Sequence, residues 1–423
     1  MSEKAAVSRR QFLWGAGAGC SLVGLAGCAS LTARAPQIPD LTPELVRGAD
    51  WPRVRSGFML PDDLVYLNCG SLGPCPGHVV SEALSAWLNL EQNPANEGYG
   101  PCIQRMEEVR GKAAEFLGCS KDQVAITRNT TDGMNTVAQG LDLQKGQRVL
   151  TTDHEHPGGE VCWQYYAKRR GVVVDTVELP VPAQSEEEIL KRFEAKLTRD
   201  IRVVSVSHVT FTTGLRMPVR RIAQMARANG SIVVVDGAQA PGMMEVNVED
   251  LLCHAYATSG HKWMLGPKGV GILYVSKDAE GAIDPLVLQH GRGAYTASTG
   301  TRDIPTIIGL GAAIDFLSAV GKARIERRVL ELRKMLVEGL QGCAGVKMVS
   351  PPEGPMASGM VSVGLPAGVE SSALASRLME RHRVVVKVLP ARPVSGIRIS
   401  LHLYNSPADV ESLLAALRAE VRG

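Results

Sequence analysis

Lys262 stands in the tight segment Ser259-Gly260-His261-Lys262-Trp263, just ahead of the glycine-rich Gly266-Pro267-Lys268-Gly269-Val270-Gly271. A lysine held off the surface can act as a nucleophile or proton carrier, although most lysines are simply solvated. Upstream, Ser231-Ile232-Val233-Val234-Val235-Asp236 reads as a buried strand that ends in a carboxylate. In an open α/β sheet, ligands sit at the carboxyl ends of strands, so Asp236 and Lys262 both project towards one cleft. A third segment, Ala125-Ile126-Thr127-Arg128-Asn129-Thr130-Thr131-Asp132, runs from a strand into a helix. Free amides at that helix start, with the hydroxyls of Thr130 and Thr131, make an anion site suited to phosphate. Alone, each feature has a plainer reading: a strand-end turn for Asp236, a helix cap for the threonines. Together they fit pyridoxal phosphate, which needs a lysine for its aldehyde, an acid for its ring nitrogen and a phosphate cradle.

These residues require a sheet to carry them. Arg148–Thr152, Val172–Val177, Ile201–Ser207, Ser231–Asp236 and Gly269–Val275 are short Val- and Ile-rich runs that read as buried strands. Helical patterns lie between them, at 185–198 and at 218–229, the latter with Pro218 in its first turn and Gly230 beyond its end. Such alternation predicts an α/β fold with a large, mostly parallel sheet. A long helical stretch over about 305–340 then leads to strands near 359–364, 384–388 and 396–401 and a last helix at 407–421. This reads as a smaller α+β C-terminal domain. The expected organisation is a signal at 1–27, a linker and lead-in at 28–60, a large cofactor-binding domain at 61–310 and a small domain at 311–423.

Composition narrows the function classes. Lysine and arginine number 46 against 43 acidic residues in 423, and charged residues make up 21%, which excludes a disordered chain or a basic nucleic-acid footprint. Aromatic residues are only 4%, too few for a base-stacking platform. The nine cysteines are scattered and none forms C-x-x-C, so neither a zinc site nor a redox motif is expected. Cys69 and Cys75 could pair in an oxidising compartment, which the sequence leaves open.

The N-terminus reads as an address. Ser8-Arg9-Arg10-Gln11-Phe12-Leu13 precedes an uncharged Gly/Ala-rich run, the pattern of a twin-arginine export signal. Glycines within that run make a membrane-anchor helix the weaker reading. Leu25-Ala26-Gly27-Cys28 resembles a lipobox, so a lipid anchor at Cys28 is expected, against ordinary cleavage after Ala33-Arg34-Ala35. The expected location is periplasmic, reached through the twin-arginine translocase and membrane-anchored.

The motifs R-x-T-T-x-x-x-N from Arg128, V-D-G-A-Q from Val235 and S-G-H-K-x-x-G-P-x-G-x-G from Ser259 occur in this order. In this the sequence resembles the class V aminotransferase family of fold type I pyridoxal-phosphate enzymes, over roughly residues 60–420. Tyr66-Leu67-Asn68-Cys69-Gly70-Ser71-Leu72-Gly73 and Asp153-His154-Glu155-His156 look most like the branch that includes isopenicillin N epimerase.

The resemblance implies the following roles. Lys262 is the Schiff-base lysine and proton-transfer base, and Asp236 holds the pyridinium proton. Gln239 bonds the ring hydroxyl, while Thr130, Thr131, Ser259 and His261 bind the phosphate. His156 stacks on the ring, and His154 is structural. Thr301 reaches the phosphate of a neighbouring subunit, which implies a homodimer with shared sites. Arg398 grips the substrate α-carboxylate, with Asn68 and Ser71 beside it.

Two departures stand out. Near the end of the strand Ile201–Ser207, where relatives carry an asparagine, this chain reads Ser207-His208, and residues 383–393 hold no thiol where desulfurases of the family have one. The implied reaction is at Cα of a small or peptide-like amino acid, aminotransferase-type first and epimerase second. A C–S lyase comes third, and a binding protein that kept the fold without turnover is the reading from another class.

Overall fold

The computed structural model describes residues 37–421 apart from residue 391, so the export signal and Cys28 lie outside the described residues. The chain enters through two short helices, α1 (Pro43–Val46) and α2 (Trp51–Ser56), each with a proline in its first turn. Leu41, Val46, Val54 and Phe58 are buried in the main core. The second half of the segment read as a linker is therefore packed structure. It continues into β1 (Val65–Tyr66), α3 (Gly77–Gln92), α4 (Pro94–Tyr99) and α5 (Pro101–Leu117).

The main sheet follows the sequence pattern closely. Its elements are β2 (Val124–Thr127), α6 (Thr130–Gly140), β3 (Arg148–Thr152), α7 (Pro157–Arg170), β4 (Val173–Val177), α8 (Glu186–Lys196) and β5 (Ile201–Ser207). They continue with α9 (Val219–Ala228), β6 (Ile232–Asp236), β7 (Ala255–Ser259) and β8 (Gly271–Val275). Strand order is β2-β8-β7-β6-β5-β3-β4. All pairings are parallel except those of β8, which runs against both its neighbours. Val203, Val204, Val206 and Val233–Val235 are fully buried, as expected for a sheet covered on both faces.

From β3 the chain steps outwards to β4, then returns to β5 on the other side of β3 and continues to β6 and β7. That reversal is the topological switch point, where such sheets open a crevice beyond their strand ends. Thr152, Ser207, Asp236 and Ser259 are the last residues of β3, β5, β6 and β7, and they line that edge.

The helix expected over 305–340 is broken. α10 (Ile304–Val320) and α11 (Lys322–Leu340) meet at a 75° bend. Gly321 provides the break with φ +96, a conformation L side chains rarely adopt. α10 is apolar around its circumference and is buried against α3 and α5, whereas α11 is amphipathic. The main core extends along α11 as far as Val329, and a second cluster takes over at Leu332. The change of core thus falls later in the chain than residue 310.

The second cluster lies under an antiparallel sheet of order β12-β13-β10-β9. Its strands are β9 (Lys347–Met348), β10 (Met360–Gly364), β12 (Lys387–Val388) and β13 (Ile397–Ser400). Around it lie α12 (Ser371–His382), β11 (Val384–Val385) and α13 (Pro407–Val421). β11 pairs with β1, which ties the N-terminal segment to this part of the chain. Among the described residues no single helix is long and apolar enough to cross a membrane.

Candidate active site

Lys262 lies in the turn that follows β7, where backbone approaches backbone. Gly73 donates its amide to the His261 carbonyl at 2.8 Å, and a Cβ on Gly73 would stand 2.0 Å from the Lys262 carbonyl oxygen. Only glycine lets the segment 68–73 pack there. Burial brings the Lys262 ammonium down to about 8; Asp236 opposes this fall and Arg398 adds to it. Asp236 is buried and takes one hydrogen bond, from the Ala238 amide to Oδ1 at 2.9 Å. Its carboxyl is raised by burial, with Lys262 acting against the rise. A Cβ on Gly159 would lie 2.6 Å from Asp236 Oδ2, so the start of α7 closes over this carboxylate.

The start of α6 is the expected cradle. Asn129 caps the helix by accepting from the Asp132 amide at 2.9 Å, and the Thr130 amide goes to Ser259 Oγ at 3.0 Å. The Thr130 and Ser259 hydroxyls meet at 2.7 Å. The Thr131 amide has no partner within the helix. His261 Nδ1 is buried without a partner, and burial first, then Lys262, holds its ring down to about 4. A phosphate at this helix start would satisfy the free Thr131 amide. The residues present therefore fit pyridoxal phosphate: cradle at α6, Asp236 for the ring nitrogen, Lys262 for the aldehyde.

Gln239 is more committed than the sequence implied. Its Oε1 accepts from Trp263 Nε1 at 2.7 Å and its Nε2 donates to the Gly70 carbonyl at 2.9 Å. One amide hydrogen is left for a ring hydroxyl. His156 caps α7, with Nδ1 accepting from the Gly158 amide at 3.0 Å, so the proton of the neutral ring sits on Nε2. Its ring meets Phe211 edge-on at 5.0 Å. Burial, then Lys262, Arg398 and Lys387, lower it to about 4, and it is neutral at physiological pH. His154, in contrast, is buried against Thr212, in keeping with a structural role.

Arg398 projects from β13 into the corner formed by the segment 67–71. Ser400 donates its amide to the Leu67 carbonyl at 2.8 Å, which brings Asn68 and Ser71 alongside. Arg398 is 2% exposed; Nη1 donates to the Phe211 carbonyl at 2.7 Å and Nη2 reaches Ser71 Oγ at 3.4 Å. Its Nε, with Asn68 Oδ1 and Ser400 Oγ, has no partner. No carboxylate pairs with this guanidinium among the described residues, and burial lowers it to about 10. A buried, uncompensated fork of donors is a receptor for a carboxylate.

Thr301 makes no hydrogen bond to this cluster among the described residues, although it shares a second cavity with Thr127, Arg128 and Asp132 near the start of α6. It lies exposed ahead of α10 and lines, with Trp87, Tyr99 and Tyr295, a cavity of about 1150 Å³. Cys69 and Cys75 are both free thiols. Cys69 is fully buried, directs its Sγ to the Lys262 carbonyl at 3.6 Å, and is pushed up by burial to about 12. It is inert as a nucleophile. Cys343 lies just beyond α11 and is buried in the second core.

Glu155, within Asp153-His154-Glu155-His156, carries no sign in the sequence of the environment that the fold gives it. Its Oε2 accepts from Ser207 Oγ at 2.5 Å, and its Oε1 accepts from Thr152 Oγ1 at 2.6 Å and from the Ser207 amide at 3.2 Å. Ser207, the departure from the family pattern, is thus spent on Glu155, while His208 turns away to the Tyr256 hydroxyl at 3.0 Å. Burial raises the Glu155 carboxyl to about 7; its hydroxyl partners resist, and Asp236 adds to the rise. A carboxyl raised on folding stabilises most below its unfolded value, and that contribution is lost as pH rises through about 7. Glu155→Gln is therefore expected to flatten the fall in thermal midpoint between weakly acidic and weakly alkaline pH. The difference amounts to no more than about 3 kcal/mol and is measured by calorimetry at a series of pH values.

Comparison with known proteins gives the family and the fold. The family described as "Aminotransferase class-V" matches residues 74–413. Isopenicillin N epimerase of Amycolatopsis lactamdurans is 31% identical over 390 residues, 87% of this chain and 98% of the relative. A probable cysteine desulfurase of Pyrococcus abyssi is 30% identical over 397 residues, 87% and 97% of the two chains. Among solved structures, the apo cysteine desulfurase of Thermococcus onnurineus has a TM-score of 0.79 at 27% identity, covering 88% of this chain and 98% of that one. A mutant of C-DES with glycine covalently linked to its PLP cofactor has a TM-score of 0.78 at 26% identity, covering 86% and 98%. With Lys262, Asp236 and the α6 cradle gathered at the strand ends of a fold type I sheet, this chain belongs to the class V aminotransferase family of pyridoxal-phosphate-dependent enzymes.

Proposed function

We propose that the protein acts at Cα of an amino acid, most directly as an aminotransferase. Bound pyridoxal phosphate supplies an electron-poor ring that takes up the electrons of a bond broken at Cα. The chain's own residues do the rest. Arg398 binds the α-carboxylate and fixes which Cα bond faces Lys262. Lys262 takes the Cα proton and can return it to a different atom, because burial keeps its amine near neutrality. Asp236 holds a proton at the ring nitrogen, and neutral His156 covers the ring with Nε2–H as a donor.

The observation that carries this reading is the contrast between those two bases. Lys262 is held near neutrality at about 8, whereas the Nδ1 of His156 is already occupied by the Gly158 amide. A single effective base suits a proton shift between two atoms on one face. A second reading, epimerase, is favoured by the two isopenicillin N epimerases at 31% and 30% identity. A thiol-dependent desulfurase is disfavoured, since Cys69 is inert and Cys343 is in the second core.

The test is a panel of amino acids incubated with the holoenzyme and a 2-oxo acid. Release of a new oxo acid with stoichiometric formation of a second amino acid supports transamination. Exchange of the Cα proton in heavy water with D/L interconversion and no oxo acid replaces it with epimerisation.

Two further parts belong to the same reading. A homodimer would let Thr301 of each subunit complete the other's phosphate site and would cover exposed Leu84, Trp87, Tyr99 and Tyr295; a monomer in sedimentation refutes it. Export through the twin-arginine route with lipid on Cys28 rests on Ser8-Arg9-Arg10 and Leu25-Ala26-Gly27-Cys28. The mass of the mature N-terminus checks it, and a free terminus at Pro36 would sink it.

A further inference from the structure

Beside Arg398 stands a second cation that neither the fold nor the chemistry at Cα requires. Lys387 lies on β12 directly opposite Arg398 in the antiparallel ladder with β13. Residues paired in this way point to the same face of a sheet, with Cβ atoms about 5 Å apart. Arg398 is buried and turned into the substrate corner, while Lys387 is exposed at its rim. Lys387 makes no ion pair among the described residues, whereas Arg383, on the same stretch of chain, is paired with Asp63 at 3.0 Å. It is also close enough to His156 to help keep that ring neutral, together with Lys262 and Arg398. The plainer account is that a lysine on the edge strand β12 blunts edge-to-edge pairing. That account does not explain its alignment with Arg398 or its proximity to His156.

We propose that Lys387 binds a second carboxylate on the substrate, so that the site selects amino acids with an anionic group at the end of a short side chain. Arg398 takes the α-carboxylate in the buried corner, and Lys387 meets the distal charge at the cleft mouth. A substrate with a neutral side chain leaves exposed Lys387 without a counter-charge opposite the buried Arg398. A dianion cancels both, and its arrival is aided by their summed field. This inference rests on Arg398 being the carboxylate receptor of the proposed reaction.

The experiment has two arms. In the first, kcat/KM of the holoenzyme is compared for glutamate and for norvaline, a neutral amino acid of the same chain length. Lys387→Met is expected to lower the glutamate-to-norvaline ratio by about threefold to tenfold, the scale of a partly exposed ion pair. Lys387→Glu should lower it further, and added salt should lower it in the parent. An unchanged ratio, or equal losses on both substrates, overturns the proposal. The second arm measures binding of glutarate and pentanoate to the holoenzyme by calorimetry, with no turnover needed. A preference for glutarate that is lost in Lys387→Met supports the site even if no amino acid is converted, in which case the reaction at Cα fails alone. Equal binding of the two acids by the parent overturns the inference while leaving that reaction standing.

Discussion

Lys262→Ala is expected to lower turnover by about 10⁴-fold or more, the upper range for removing a positioned proton-transfer group. The variant should fold, because the change removes a buried amine that the fold does not use: no side-chain hydrogen bond of Lys262 holds the turn, which is fixed by backbone contacts to Gly73 and Gly260. Two measurements separate a chemical role from a structural one. The visible absorbance of the loaded parent should be lost or displaced in the variant, and a small primary amine added to the buffer should restore part of the activity. A variant that retains both the absorbance and a tenth or so of parental turnover would refute the assignment. The parent also makes a pH prediction. Only the free amine of Lys262 can capture the cofactor aldehyde, so the rate of cofactor loading should rise with pH and be half-maximal near about 8. An unperturbed lysine would give a midpoint more than two units higher, near its ordinary value of about 10.4.

Asp236→Asn is expected to cost about 10²- to 10³-fold in kcat, the effect of deleting one preorganised electrostatic partner in a water-poor site. The substitution is close to isosteric and keeps an oxygen to accept from the Ala238 amide, so the strand end should hold its shape. What it removes is a negative charge. Asp236 is the largest influence holding the Lys262 ammonium up against burial, ahead of Cys69. Its loss should therefore move the midpoint of the loading-rate curve to lower pH, even as turnover collapses. The two effects have opposite signs for loading and for catalysis, which a general loss of structure would not produce. If the midpoint stays in place, the carboxylate does not sense Lys262 and the assignment of its role fails.

Much of this arrangement was readable from the chain, and the reason is local. Arg148–Thr152 and Ile201–Ser207 carry the expected strand boundaries unchanged, since a run of β-branched residues flanked by polar turns defines both ends. Lys262, Asp236, Ser259 and Thr130 were legible because each is the residue at or just after a strand end or at a helix start. In a parallel sheet those positions share one edge whatever the rest of the chain does. The break at Gly321 was less legible. α10 and α11 each have good helix-forming sequences, and one glycine between them lowers helix propensity without dictating a 75° turn. The turn follows from α10 being buried on all sides against α3 and α5, which the sequence of α10 alone does not specify.

Other parts of the site depend on contacts far apart in sequence. Glu155 gains its character only because β3 and β5 lie side by side across the switch point, so that Thr152 and Ser207 enclose one carboxyl from two strands. Lys387 acquires meaning from its register opposite Arg398, and Arg398 from the segment 67–71 that β13 holds against it. By itself, then, the sequence determined the strands, the family and the cofactor it uses, because periodicity, strand-end placement and motifs are properties of short stretches. The tertiary structure alone decided which side chains share a corner, which lose water and which charges stay unpaired. Proton affinity and ligand selectivity arise from desolvation and distance, and both are set by residues that meet only when the chain has closed on itself.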